Sequence, residues 1–183
     1  MPRKISVMVT TGVRAAVACA FIAAAAPTLR GQRPPPAVGE LEHTVWTIRD
    51  GAPPGVTAFA QSADGVLWIG ATTGLYRFDG VRFELFEPPA SQPLPFLSIS
   101  ALLALPDSTL WVGYTFGGAS VLARGRVVSY SQRDGLPEGT INAIARDSAG
   151  DIWAATTTGL ARLYGGRWQR IGAENGYPGG PFR

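Results

Sequence analysis

The chain holds a single histidine and a single cysteine, which sharply limits the chemistry it could carry. His43 is followed by Thr44-Val45-Trp46 and has no second histidine to complete a zinc site or a His-based triad. It is expected to be an ordinary strand or surface residue. Cys19 lies in an apolar leader, so the body of the chain has neither a disulfide nor a thiolate ligand. Asp64, Asp79, Asp107, Asp134 and Asp147 recur at turn positions, where a carboxylate caps backbone N–H groups. No glycine-rich phosphate loop opens a helix. No catalytic residue, no metal and no cofactor is therefore expected.

What remains is recognition. Arg49 with Asp50, Thr72 with Thr73, Tyr114 to Phe116 (Tyr114, Thr115, Phe116), Arg133 with Asp134, Glu138, and Thr156, Thr157 and Thr158 combine hydroxyls, charges and aromatic faces. That mixture suits a polyhydroxylated ligand, an extracellular small molecule or oligosaccharide.

These residues recur because the elements holding them recur. Trp68, Trp111 and Trp153 are spaced by 43 and 42 residues, a period that points to a propeller or solenoid. Alternating segments begin twelve residues before each tryptophan, at Val56, Ile99 and Ile141, and a glycine follows six residues after, at Gly74, Gly117 and Gly159. Each unit resolves into four short strands separated by Gly-containing turns. The second strands are Leu67 to Ala71, Leu110 to Tyr114 and Ile152 to Thr156, and the fourth are Arg82 to Phe86, Arg126 to Tyr130 and Arg167 to Ile171. The second unit has two extra residues around Phe116-Gly117-Gly118-Ala119-Ser120, in the loop after its second strand.

The fold class is therefore all-β: a β-propeller with three four-stranded blades (56–86, 99–130 and 141–171) of an incomplete ring, plus an N-terminal closing strand over 42–48. A next linker begins over 174–183. The three tryptophans are expected as core between blades, since a buried aromatic removes roughly 150 to 250 Å² from water. Loops after the second strand share a face with the linkers between blades, and propellers present ligands at such a mouth.

Residues 1–32 have the layout of a signal peptide: Arg3 and Lys4, an apolar run from Ala15 to Ala26, then a polar exit. That run is too short to span a bilayer, which takes about 20 residues. Residues 33–41 form a Pro-rich spacer. Arg3, Lys4, Arg14 and Arg30 all precede the first acidic residue, so the net charge of +3 belongs to the leader, and 12 basic side chains face 13 acidic ones beyond it. A near-neutral body is not a nucleic-acid partner.

The units resemble the repeat of the two-component regulator propeller family, the periplasmic sensor region of bacterial hybrid histidine kinases. The resemblance rests on Asp134-Gly135-Leu136-Pro137, Ile141 to Asp147, Gly150-Asp151-Ile152-Trp153 and Thr157 to Leu163, and in the first unit on Asp64 to Gly70 and Thr73 to Gly80. Ser108 after Asp107, and Ala154-Ala155 in place of Ile/Val-Gly, depart from the pattern.

The resemblance implies a ring of seven blades, outside the inner membrane and anchored in it, sensing extracellular cues such as glycan fragments. It also implies remaining blades and signalling domains downstream in the same polypeptide, including a histidine kinase, and a homodimer when full-length. The alternative is a secreted propeller scaffold that binds protein or glycan without a kinase.

Overall fold

The computed structural model describes residues 44–176. The leader, the spacer, His43, Cys19 and the end of the last linker lie outside the described residues. Alternating β-branched and aromatic segments punctuated by glycine turns fold into three antiparallel sheets of four strands each. Blade 1 is β1 (Val56–Gln61), β2 (Leu67–Ala71), β3 (Gly74–Phe78) and β4 (Phe83–Leu85), in that spatial order. Blade 2 is β5 (Ile99–Ala104), β6 (Leu110–Tyr114), β7 (Ala119–Ala123) and β8 (Arg126–Tyr130). Blade 3 is β9 (Ile141–Arg146), β10 (Ile152–Thr156), β11 (Gly159–Tyr164) and β12 (Arg167–Ile171).

The register repeats residue by residue. Trp68 pairs with Ala60 and Arg77, Trp111 with Leu103 and Val121, and Trp153 with Ala145 and Arg162. Each first strand also carries the same irregularity, which places Thr57, Ser100 and Asn142 at a bulge. Strand β4 starts later than the sequence predicts. Asp79 Oδ1 accepts from both the Val81 and Arg82 amides at 2.8 Å, so Arg82 belongs to the turn.

Two apolar clusters fill the seams. Leu75 and Trp68 of blade 1 meet Ile99, Leu110, Val112, Leu122 and Val127 of blade 2. Trp111, Ala119 and Tyr130 of blade 2 meet Leu136 of the linker and Ile141, Ile144, Ile152 and Trp168 of blade 3. Trp111, 4% exposed, stacks on Tyr130 with ring centroids 5.8 Å apart and meets the Trp168 ring edge-on at 5.8 Å. Trp68 is half-buried, and Trp153 is half-buried on the outgoing side of blade 3, outside both clusters.

Seam closeness is set by glycine. A methyl on Gly70 would come within 2.6 Å of Ile99 Cγ2, and one on Gly113 within 2.6 Å of Ile141 Cγ2. At the innermost strands a hydroxyl bridges each pair of blades: Thr57 Oγ1 donates to the Ile99 carbonyl and Ser100 Oγ to the Ile141 carbonyl, both at 2.7 Å.

The expected closing strand is not seen as a strand among the described residues. Residues 44–47 join no sheet, and Ile48–Asp50 form a 3-10 turn. An outer strand needs the third strand of its own blade, and all three sheets already hold four. Trp46 nonetheless meets Phe83 edge-on at 5.6 Å, as Tyr130 meets Trp168 at 6.1 Å. The segment thus takes the place of a preceding blade's strand-four end without its ladder.

Candidate functional site

The loops expected to share a face do so, held there by one repeated bond. Thr72 N donates to Gly55 O, Thr115 N to Ser98 O and Thr157 N to Thr140 O, at 3.0, 3.1 and 3.0 Å. Each ties the loop after a second strand to the linker entering the same blade. Between blades, Thr140 Oγ1 donates to Thr115 O at 2.7 Å. Thr158 Oγ1 donates to Glu138 O at 2.6 Å.

The linker aspartates are occupied by local structure. Asp50 Oδ2 accepts from the Thr47 amide and hydroxyl at 2.8 and 2.6 Å, and Asp134 Oδ2 from the Ser131 amide and hydroxyl at 2.8 and 3.0 Å. Both close a 3-10 turn that ends on a left-handed glycine, Gly51 at φ 89° and Gly135 at φ 96°. The Thr47 hydroxyl, then its amide, holds the Asp50 carboxyl below its ordinary range.

Two of the expected contact residues are corrected by burial. Tyr114 and Thr156 end the second strands of blades 2 and 3, a position that is fully buried in every blade, as Ala71 is in blade 1. The Tyr114 hydroxyl donates to Ser120 Oγ at 2.8 Å, and burial pushes the phenol up to about 12. Thr156 Oγ1 accepts from the amides of Thr158 and Gly159, both at 3.1 Å, and so shapes the loop from below. An alternating strand sends one side of its last residue inward, and here that side is core.

Of the remaining candidates, Phe116, Arg133 and Glu138 converge on a cavity of about 540 Å³. Phe96 and Tyr130 complete its aromatic wall, with Ser129, Ser131 and Gln132 adding polar atoms. Phe96 and Phe116 lie 6.0 Å apart at a tilt of 57°, and Phe116 is 72% exposed. Among the described residues the one ion pair is Arg162 with Asp151, so the guanidinium of Arg133 and the carboxylate of Glu138 are both unpaired. Burial, and then the negative charge of Asp134, raises the Tyr130 phenol above its ordinary value.

The two extra residues of blade 2 build this cavity. Its loop is Thr115 to Gly118, four residues where blades 1 and 3 have two, and Gly118 at φ 84° comes so close to the Tyr130 carbonyl that a methyl would lie 2.9 Å from it. Arg49, Thr72, Thr73, Thr115, Thr157 and Thr158 share the face but lie outside the cavity lining. Phe96 is the residue that the repeat does not reveal. Its linker lacks the Asp-Gly turn of the others, and the available signal is an apolar Phe96-Leu97 pair directly after Pro93-Leu94-Pro95.

Three twisted four-stranded sheets leaning on one another through aromatic seams, with ligand-type side chains gathered on one loop face, define an arc of β-propeller. Residues 135–158, from the linker through the second strand of blade 3, match the family described as two component regulator propeller.

Among solved structures the chain is similar to the extracellular domain of a protein assigned as hybrid two component system BT3049 from B. thetaiotaomicron. Identity is 23% and the TM-score 0.57, over 67% of this chain and 18% of that one. It is also similar to virginiamycin B lyase from Staphylococcus aureus, at 16% identity and TM-score 0.51 over 64% of this chain and 41% of the lyase. A streptogramin B lyase aligns at 20% identity and TM-score 0.50, over 64% and 40%. At such identities the likeness is one of fold. The chain spans less than half the length of each. No curated protein gives a significant match.

Proposed function

We propose that this chain is the ligand-sensing propeller of a membrane-bound two-component sensor, facing the periplasm, and that it relays an extracellular oligosaccharide signal to a histidine kinase. The observation carrying this reading is the cavity on the loop face of blade 2. Its aromatic wall offers flat apolar surface to the C–H face of a sugar ring. Arg133 supplies donors and Glu138 acceptors for ring hydroxyls, with no ion pair among the described residues to break first. The repeat over residues 135–158 supports the two-component setting.

Titration calorimetry of the chain against neutral and acidic oligosaccharides tests it. Saturable binding is expected, weakened at least tenfold by Phe116→Ala and by Arg133→Ala, since buried aromatic and arginine anchors carry about 2 kcal/mol or more. Failure to bind any of the panel, or binding indifferent to both substitutions, refutes the assignment.

A further inference from the structure

Each blade has an incoming face and an outgoing face, and both seams use them alike. The incoming faces present Ile99, Leu110 and Val127 in blade 2, and Ile141, Ile152 and Trp168 in blade 3. The same repeat positions in blade 1 are Val56, Leu67 and Phe83, and with Phe59 and Trp46 they line a cavity of about 270 Å³. No described blade covers it: Val56 is 41% and Phe59 60% exposed.

Both existing seams show what such a face accepts. The strand laid on it reads Trp-x-Gly, as Trp68-Ile69-Gly70 and Trp111-Val112-Gly113. The tryptophan packs on the apolar floor. The glycine leaves room for the branched residue that opens the next blade, because any Cβ would stand 2.6 Å from that residue's γ-methyl. Blade 3 presents Trp153-Ala154-Ala155 instead. Ala155 pairs with Ala143 and Leu160, as Gly113 pairs with Ala101 and Ala119, so its methyl stands where the other two blades have none.

We propose that the incoming face of blade 1 is the seat for a Trp-x-Gly strand of a further propeller blade, and that Ala155 bars this chain's own third blade from that seat. In a head-to-tail pair of chains the Ala155 methyl would meet a γ-methyl of Val56, which holds the place of Ile99 and Ile141. Overpacked carbon atoms push the two surfaces apart. A single methyl thus discriminates against closure on a second copy, and the matching wedge must come from a blade that carries the glycine.

Sedimentation velocity of the 183-residue chain over a range of concentrations tests this, with A155G supplying the missing Trp-x-Gly strand as probe. A155G is expected to self-associate at least about tenfold more tightly than the unsubstituted chain. Adding Phe59→Asp should return it to the unsubstituted behaviour. V56G removes the other colliding group, γ-methyl and Cβ alike, and should also promote association, which keeps the test open if near-UV circular dichroism shows A155G unfolded. The proposal is overturned if the folded variants sediment as the unsubstituted chain does, if that chain already associates as tightly, or if A155G still associates with Phe59→Asp present.

Discussion

Substituting Gly113 by alanine probes the seam between blades 2 and 3 at its tightest point. The added methyl would stand 2.6 Å from Ile141 Cγ2, 2.7 Å from Ile141 Cβ and 3.2 Å from Ala101 Cβ. Carbon pairs prefer about 3.5–4.0 Å, so the two sheets must separate by roughly 1 Å or Ile141 must leave its rotamer. Overpacking of this kind costs about 1–3 kcal/mol. Alanine regains roughly 0.5–1 kcal/mol of backbone entropy over glycine in a strand, which leaves a net effect between about zero and a loss of about 2.5 kcal/mol. Ile141 is fully buried, so Ile141→Ala alone should cost about 2–5 kcal/mol by opening a cavity. In that background the 2.6 Å contact with Cγ2 is gone, the 2.7 Å contact with the Cβ of position 141 remains, and the emptied space lets the seam adjust, so the second substitution should cost clearly less than it does beside Ile141. Urea unfolding followed by tryptophan fluorescence gives the four stabilities of the cycle, with an expected coupling of about 1 kcal/mol or more. Additivity within about 0.5 kcal/mol would refute the steric account of the seam glycine.

Trp111→Ala should destabilise by about 3–5 kcal/mol, whereas Trp153→Ala, on a half-buried outgoing face, should cost less than half as much; both are read from the same unfolding curves. Ser131→Ala removes the hydroxyl that accepts from the Arg133 amide at 3.3 Å and bonds Asp134, and should lower stability by about 0.5–2 kcal/mol. The Trp153 indole N–H, 2.8 Å from Asp147 Oδ2, holds that carboxyl below its ordinary range. A depressed folded value contributes stability above about pH 4 that is lost as pH falls through it, and Asp147→Asn should flatten that part of the acid melting profile. Tyr114 is shifted the other way, to about 12. Its contribution is complete below about pH 10 and lost as pH rises through the folded value, so Tyr114→Phe should blunt the alkaline fall in Tm.

Repetition made the blades legible in the sequence. Three copies of one strand pattern, each tied to a tryptophan, locate the second strands to the residue, because a slip by one would turn Ile69, Val112 and Ala154 out of the core. Local bonding fixed what the pattern missed: Asp79 shortens β4, and the Thr47–Asp50 turn replaces the last part of the expected closing strand. The site was half legible. Loop position gathers Phe116, Arg133 and Glu138, which line one cavity, but it cannot separate them from Tyr114 and Thr156, whose side chains point into the packing. Phe96 comes from the one linker without an Asp-Gly or Asn-Gly turn. The seam role of Gly70 and Gly113 is a distance between two sheets, which no single strand's pattern contains.

The hydroxyl bridges from Thr57 and Ser100 fasten neighbouring blades at their innermost strands, while the aromatic packing lies farther from the axis, as far out as Trp168 on the outermost strand. The arc is pinned like the ribs of a fan: firm at the pivot, held by slippery contacts toward the rim. Blades so joined would open by splaying their outer edges. The cavity is bounded by the end of β8 on one side and by the linker into blade 3 on the other, so the ligand proposed for it would bear on the splay angle.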